Sequence, residues 1–191
     1  MPRRASSIWQ TKVSFSFGQT VLIFGLLLMF SAGALLLCFS KWSQTASFRK
    51  TKSRVQQQVV AGQPMNLSAE EWKEILTPAQ FSVLRQRGTE IPFSGELLHE
   101  KRPGTYVTAD CGIPVFRSEQ KYDSGTGWPS FRAVLDPDTI ELREDTSLGI
   151  TRIEVVEKTC NSHLGHLFDD GPPPTGQRFC INSAALEFIP D

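Results

Sequence analysis

The sequence has few cysteines, few histidines and no net charge. Four cysteines and three histidines occur in 191 residues, and no two cysteines form a CxxC motif. This excludes a disulfide scaffold and a zinc module built from paired CxxC motifs. Lys and Arg total 20, and so do Asp and Glu. Composition therefore indicates no binding to nucleic acid or to another polyanion.

The charges are unevenly distributed along the chain. Residues 1–60 contain eight basic residues and no acidic one, which leaves 12 basic and 20 acidic residues, a net charge of −8, in residues 61–191. The chain therefore contains two chemically different parts.

A long apolar run lies in the basic part. Residues 21–39 contain no charged residue and only one hydroxyl side chain. About 20 helical residues cross a bilayer core of about 30 Å. We therefore predict a single transmembrane helix at residues 18–40, between a basic flank at 1–17 and a basic juxtamembrane linker at 41–64.

Other interpretations of the basic part remain open. A cleaved signal peptide needs small residues at the −3 and −1 positions, whereas Gln44-Thr45-Ala46 places a large residue at −3. An organellar transit peptide fits the basic, acid-free composition. Three basic residues precede the apolar run and five follow it closely, so the orientation in a membrane is not determined.

Residues 65–191 are expected to form one domain that begins with two short helices. Ser68 and Glu71 form a capping-box pattern at the start of the first helix. Thr77 and Pro78 are residue types favoured at the N-cap and first position of a second helix, and Gly88 should end it.

After Gly88, short segments rich in Val, Ile, Phe and Thr alternate with turn residues. The alternation in residues 151–157 directs Ile153 and Val155 to a core, and Arg152 and Glu154 to water. We predict a mainly β, largely antiparallel domain that follows the two helices in the chain and packs against them. The predicted strands are 104–107, 113–116, 140–143, 150–156, 178–181 and 185–189.

Cys180 is the candidate nucleophile. A cysteine attacks as the thiolate, which a neighbouring cation or imidazole favours. Arg178 and Asn182 lie two residues to either side, so all three would share one face of a strand. His163 and His166 supply imidazoles nearby in the sequence. A buried structural cysteine also fits this segment, while zinc is weakly indicated because no further ligands stand at metal spacing.

A second unusual run, GTGWPSF, contains Trp128 and Phe131. Glycine lets the backbone bend and proline restrains it, so the aromatics are held at a turn. They either pack inward as a structural corner or form a cup for a methyl or thioether group. The run alone does not decide between these alternatives.

Together these motifs resemble methionine-R-sulfoxide reductase B. The resemblance rests on EEWKEILTPAQFSVLRQ, GTEIPFSGELL, KYDSGTGWPSF and HLGHLFDDGPPPTGQRFCINSAALEFIP, and it covers about residues 66–191. It implies a small, mainly β domain of two antiparallel sheets. It also implies reduction of the R-sulfoxide of methionine, in proteins or free, without a bound cofactor.

The resemblance implies a role for each candidate residue. The Cys180 thiolate would attack the sulfoxide sulfur and become a sulfenic acid, which another thiol must reduce. Imidazoles would supply protons to the oxygen. The implied catalytic residues are Cys180, His163, His166 and Asn182; the implied substrate-binding residues are Trp128, which receives the methyl group, Phe131 as a second aromatic, and Arg178.

Two positions depart from the family pattern. Thr126 stands where many members have a resolving cysteine, so we expect an external reductant such as thioredoxin or a small thiol like glutathione. The four positions of the family's zinc cysteines read Thr108, Cys111, Glu157 and Cys160. We expect no structural zinc, with a weak Cys/Cys/Glu site as the alternative. The resemblance makes the two cysteines neighbours, either as core thiols or as a disulfide.

Three functions are weighed on these residues. The leading one is a membrane-tethered methionine-R-sulfoxide reductase that acts on oxidised proteins and depends on a thioredoxin-like or small-thiol partner. The second is a non-catalytic module that binds methionine or its sulfoxide, suggested by Thr126 and the missing zinc pairs. The third, a zinc-dependent hydrolase, lacks a third ligand at motif spacing.

Overall fold

The computed structural model describes residues 47–63, 65–147 and 149–191. In these residues three α-helices precede nine strands, and short 3-10 turns occur at Ser118–Gln120, Pro137–Thr139 and Ser183–Ala185. The elements are α1 (47–60), α2 (Ala69–Ile75), α3 (Pro78–Gln86), β1 (Gly104–Thr108), β2 (Pro114–Arg117), β3 (Lys121–Tyr122), β4 (Ser130–Phe131), β5 (Ile140–Asp145), β6 (Arg152–Glu157), β7 (Ser162–Phe168), β8 (Arg178–Ile181) and β9 (Leu186–Pro190).

The predicted helix starts are confirmed. Ser68 Oγ accepts a hydrogen bond from the Glu71 amide at 3.2 Å, and the Glu71 carboxylate accepts one from the Ser68 amide at 2.8 Å. Thr77 and Gln80 form the same reciprocal pair at the start of α3. Each cap satisfies amides that the first helical turn leaves without a partner.

Residues 47–60 form helix α1, which differs from the linker predicted over 41–64. The buried positions Thr51 and Val55 and the half-buried Val59 repeat every four residues, so they lie on one helical face. Val55 belongs to the hydrophobic core, and Arg54 forms an ion pair with Glu71 of α2 at 2.5 Å. Two valines in a basic, polar segment are a weak periodic signal, which is why the pattern indicated a linker.

The transmembrane helix predicted at 18–40 lies outside the described residues. Where the structure describes the chain, no helix combines the length and apolarity needed to cross a bilayer. The transmembrane helix therefore stays a prediction.

The strands form two antiparallel sheets, as the family resemblance implied. A three-stranded sheet has the order β2-β1-β9, and a six-stranded sheet has the order β3-β4-β8-β7-β6-β5. All six predicted strands are present, whereas β3, β4 and β7 were not predicted. β7 escaped prediction because its sequence, SHLGHLF, contains two histidines and a glycine and does not alternate.

Aromatic side chains fill the core beside the sheets. Tyr106, Phe116 and Phe131 are fully buried. The Phe116 and Phe131 rings stack with centroids 4.2 Å apart, and Tyr106 meets Phe131 edge-on at 5.0 Å. Such pairs stabilise a fold by about 0.5–1.5 kcal/mol beyond the burial of their area.

A disulfide joins one hairpin turn of each sheet. Cys111 follows β1 and Cys160 follows β6, and they are bonded to each other with their Cα atoms 6.6 Å apart. Both are buried. Of the two alternatives that the resemblance left for this pair, the structure has the disulfide. The cross-link ties the turn before β7 to the smaller sheet.

The positions of the family's zinc ligands do not fit a zinc ion here. Both sulfur atoms are used in the disulfide, and the Glu157 carboxylate accepts hydrogen bonds from the amides of Thr159 at 2.7 Å and Cys160 at 2.9 Å. Thr108 Oγ1 accepts a hydrogen bond from the Ile113 amide at 3.2 Å. The described residues contain no group of three His, Cys, Asp or Glu side chains arranged to hold a metal.

Candidate active site

A row of polar side chains crosses the six-stranded sheet on one face. Residues paired across antiparallel strands point to the same face. Cys180 on β8 pairs with Ser130 of β4 on one side and with His166 of β7 on the other. The pairings continue outward through both neighbouring strands, so the row reads Tyr122, Ser130, Cys180, His166, Glu154 and Arg143.

The next row of the same strands points into the core. Phe131 pairs with Phe179, which pairs with Leu167. Side chains alternate along a strand, so Phe131 lies on the opposite face from Ser130 and Cys180. Phe131 is fully buried. Its position on the core face does not support its implied role as the second aromatic of a substrate cup, and that role stays a prediction.

A bulge in β7 brings both histidines to the same side. Val155 pairs with Gly165 while the next residue, Val156, pairs with His163, so Leu164 is the extra residue of β7. Three residues apart, His163 and His166 would otherwise point to opposite faces. With the bulge their rings meet edge-on at 5.4 Å.

His163 is held by a buried carboxylate. Its Nδ1 lies 2.7 Å from Glu154 Oε1, and Glu154 also accepts two hydrogen bonds from Arg87, at 2.9 and 2.7 Å. Burial lowers the pKa of His163, and Glu154 opposes that effect. Near pH 7 the ring is therefore neutral, with Nδ1–H donating to the carboxylate. Nε2 is then the acceptor, and among the described residues it has no hydrogen-bond partner.

His166 is held in the same way by Asp145 of β5. Its Nε2 lies 2.8 Å from Asp145 Oδ2, which also accepts a hydrogen bond from Arg152 at 2.6 Å. Hydrogen bonds from Ser147 and then His166 hold the pKa of Asp145 well below its usual range. Asp145 is therefore a fixed negative charge that orients the His166 ring.

The Cys180 thiol is partly exposed and lies among hydrogen-bond donors. Burial raises the pKa of Cys180, while the charge of Arg178 and a hydrogen bond from Thr126 act in the opposite direction. Arg178 is held in place by Asp170, with two hydrogen bonds of 2.7 and 3.0 Å, and lies 4.3 Å above the Phe168 ring. This fixed cation favours the thiolate when it forms.

Trp128 is half-buried and is anchored by a segment for which the sequence predicted no role. Its Nε1 donates a hydrogen bond to the Glu90 carbonyl at 3.1 Å, and the Phe93 amide donates to the Gly127 carbonyl at 2.8 Å. Trp128 and Phe93 line a cavity of about 430 Å³. The resemblance includes this segment as GTEIPFSGELL but assigned it no chemistry.

Asn182 is buried and hydrogen-bonded within the protein. Its side chain is 3% exposed; Nδ2 donates to the Leu164 carbonyl at 3.0 Å, and Oδ1 accepts from the Glu90 amide at 3.0 Å. Both ends of the amide are therefore occupied within the protein. These bonds tie Asn182 to β7 and to Glu90 and use one of the two N–H groups on Nδ2. The role of Asn182 at a sulfoxide oxygen stays a prediction.

Comparison with known proteins settles the family. A family model described as the SelR domain matches residues 76–190. The chain belongs to the SelR domain family. The match spans α3 and both sheets, and α1 and α2 precede it. It therefore includes Cys180, Trp128, His163 and His166.

Relatives of this SelR domain carry names that agree with one another. "Peptide methionine sulfoxide reductase MsrB" of Methanosarcina barkeri is 55% identical over 129 residues, which are 68% of this chain and 91% of that protein. The protein of the same name from Leifsonia xyli is 57% identical over 125 residues, 65% of this chain and 90% of its own. "Methionine-R-sulfoxide reductase B2, mitochondrial" of Rattus norvegicus is 54% identical over 133 residues, 66% and 76% of the two chains.

Replacing the fixed cation of this SelR domain tests the electrostatics around the thiol. Arg178→Met removes the charge that favours the thiolate, so the pKa of Cys180 should rise further and less thiolate should be present at any pH below it. The rate of Cys180 alkylation by iodoacetamide at pH 8 should fall roughly 3- to 10-fold.

Arg143→Met is the matched control, because Arg143 lies on the same face of the sheet but three strands from Cys180. It should leave the alkylation rate within about two-fold of the unmodified protein. An Arg178→Met pH profile that coincides with that of the control would contradict the assignment.

Proposed function

We propose that this SelR-domain protein reduces methionine-R-sulfoxide in proteins to methionine, with Cys180 as the nucleophile. One observation carries the proposal: the pairing of β7 with β8 places His166 directly across from Cys180. The relatives that are 54–57% identical and named as methionine sulfoxide reductases support the same reaction.

The reaction transfers one oxygen and two electrons. The thiolate attacks the sulfoxide sulfur and forms a bond between the two sulfur atoms. The oxygen then moves to the Cys180 sulfur as this new bond and the sulfur–oxygen bond of the substrate break, which leaves methionine and a sulfenic acid on Cys180. An imidazole protonates the oxygen as it leaves, and the proton originates from the thiol. Two equivalents of an external thiol then restore the cysteine, releasing water and one disulfide.

The roles of the surrounding residues follow from their contacts. His163 and His166 carry protons between the thiol and the sulfoxide oxygen, because a carboxylate holds one nitrogen of each ring and so orients the other. Arg178 favours the thiolate. Trp128 offers an apolar surface to the methyl group of the substrate. Asn182 holds the two strands together.

The non-catalytic alternative is not favoured. A module that only binds methionine would not need a partly exposed thiol placed between a fixed guanidinium and an imidazole. The zinc-dependent hydrolase is also disfavoured, because in the described residues no third His, Cys, Asp or Glu side chain joins the two histidines in an arrangement that could hold a metal.

Replacing the nucleophile tests the reaction. Cys180→Ser should abolish reduction of an R-sulfoxide peptide with dithiothreitol, because an alcohol is a far weaker nucleophile than a thiolate at neutral pH. Thermal melting should show an intact fold. The paired variant Cys111→Ala with Cys160→Ala is the control: it loses about 2–4 kcal/mol of stability with the disulfide but keeps turnover at a temperature where it stays folded. Turnover by Cys180→Ser would rule out the proposed nucleophile.

Recycling by an external thiol is the second part of the proposal. In the described residues Cys180 is the free cysteine, while Cys111 and Cys160 are bonded to each other and buried. Thr126, at the family's resolving position, cannot form a disulfide. Within the part of the chain that the structure describes, no neighbouring thiol is therefore available to the sulfenic acid.

One equivalent of substrate should accordingly leave a sulfenic acid on Cys180 that dimedone traps, with Cys111 still bonded to Cys160. Peptide mass spectrometry of the full chain reads both states. A disulfide between Cys180 and any of the other three cysteines, formed before reductant is added, would show that recycling begins inside the chain. The reductant in the cell is proposed to be a thioredoxin-like protein or a small thiol.

Membrane attachment through residues 18–40 is a third proposal, and it rests on the uncharged apolar run. Full-length protein should stay in the membrane pellet after a carbonate wash. Recovery in the supernatant, or a mature N-terminus mapped to residues 41–63, would contradict the anchor. The second result would instead support a cleaved targeting segment; the names of two relatives contain the word mitochondrial.

A further inference from the structure

The segment between α3 and β1 contacts two parts of the proposed active site, the loop of Trp128 and the residues that follow β8. We call residues 88–98 the strap. One strap residue, Glu90, contacts the two loops that frame Cys180. Its carbonyl accepts the hydrogen bond from Trp128 Nε1 at 3.1 Å, and its amide donates to Asn182 Oδ1 at 3.0 Å.

The side chain of Glu90 makes two more contacts beyond β8. Its carboxylate oxygens accept hydrogen bonds from the amides of Ser183 at 2.6 Å and Ala184 at 2.9 Å. These amides begin the 3-10 turn Ser183–Ala185, three and four residues after Cys180. Glu90 is thus bonded at four points, one on the Trp128 loop and three on the segment that leaves β8.

We propose that Glu90 is a positioning residue for sulfoxide reduction, because it sets the distance between the Trp128 indole and the Cys180 thiol. Its hydrogen bonds reach the indole nitrogen of Trp128 and the residues after Cys180, and none of them reaches the thiol. It acts by fixing the loop of Trp128 and the end of β8 to one rigid point. The inference rests on the proposed function of Cys180 and Trp128.

The packing of the strap shows that this arrangement is constrained. A Cβ on Gly95 would lie 2.4 Å from Ser183 Cβ and 2.8 Å from Glu90 Oε1. The Leu97 amide donates to Ser183 Oγ at 2.8 Å. Any side chain at position 95 would therefore displace the Glu90 carboxylate. The strap approaches the end of β8 as closely as glycine permits.

The strap also fits tightly against the Trp128 loop. Gly127 has a φ of 93°, and a Cβ there would lie 2.8 Å from Pro92 Cβ and 2.9 Å from the Phe93 amide nitrogen. Glycine is the residue that tolerates both this dihedral angle and this approach. Movement of the strap at Glu90 would therefore be passed to Trp128.

A carboxylate is the side chain that suits the position. Two backbone amides point at two acceptor oxygens, and an ionised acceptor makes the stronger bonds. In Glu90→Gln one oxygen becomes an NH₂ group, which then faces an amide donor. The variant keeps the size and shape of the side chain and removes one of its two contacts.

Steady-state kinetics of the full-length protein test the inference. Glu90→Gln should lower kcat/KM for an R-sulfoxide peptide at least about 10-fold, mostly through KM, because the methyl site is displaced relative to the thiol. The alkylation rate of Cys180 by iodoacetamide should stay within about two-fold, because Arg178 and Thr126 are untouched. A general loosening of the domain would instead raise that rate. Glu96→Gln is the matched control, an exposed glutamate of the same strap, and should leave kcat/KM unchanged.

A double-mutant cycle separates positioning from an independent effect on stability. If Glu90 acts through Trp128, Glu90→Gln should lower kcat/KM less than about two-fold in a Trp128→Ala background. Additive losses, or a single variant with kcat/KM within two-fold of the starting protein, would overturn the inference.

Glu90→Asp is the second variant, in case Glu90→Gln does not fold. It retains the charge, shortens the reach by one methylene, and should give an intermediate loss of kcat/KM. Failure of both variants to fold would make Glu90 a residue of the fold alone and would equally overturn the inference. If the unmodified protein shows no sulfoxide reduction, the proposed function fails instead, so the two failures are distinguishable.

Discussion

The contact on which the site depends is the pairing of β7 with β8. A Cβ on Gly165 would lie 2.1 Å from the Cys180 carbonyl oxygen, so the strands can approach this closely only with glycine at that position. The same pairing sets His166 across from Cys180, and the extra residue Leu164 turns His163 to the same face. A shift of one residue would direct every side chain of β8 to the other face and bury the thiol in the core.

The charged residues around this pairing suit a reaction in which a thiolate and an imidazolium form together. Burial raises the pKa of the Cys180 thiol and lowers that of the His163 imidazole, so both groups rest neutral near pH 7. A buried charge without a partner is costly. When a proton moves from sulfur to an imidazole, Arg178 faces the thiolate and a carboxylate faces the imidazolium, so each new charge has a partner already in place.

Patterns in a few adjacent residues were sufficient to predict the helix starts and most of the strands. The capping boxes at Ser68 and Thr77 and the presence of strand β6 follow from local residue types. The faces predicted for Ile153 and Glu154 of β6 are wrong: Ile153 is 36% exposed, and Glu154 is 3% exposed because Arg87 and His163 pair with it. The structure could not be anticipated where a residue's role depends on distant partners. The bulge at Leu164 broke the period that marks a strand, and only its pairing with β6 shows that HLGH is β7. The face of Phe131 was set by the register of β4, and the place of Glu90 depends on residues more than 90 positions away.

The central claim is that this domain reduces one epimer of methionine sulfoxide through one cysteine, Cys180. It is tested most directly by mixing the protein, with Cys180 as a free thiol and the Cys111–Cys160 disulfide intact, with an excess of a peptide that contains both sulfoxide epimers. No reductant is present, and the epimers are resolved by chiral chromatography. We expect one methionine to form per protein molecule, at the expense of the R epimer, with the S epimer unchanged. Equal loss of the two epimers, or no methionine formed while Cys180 remains a free thiol, would contradict the account.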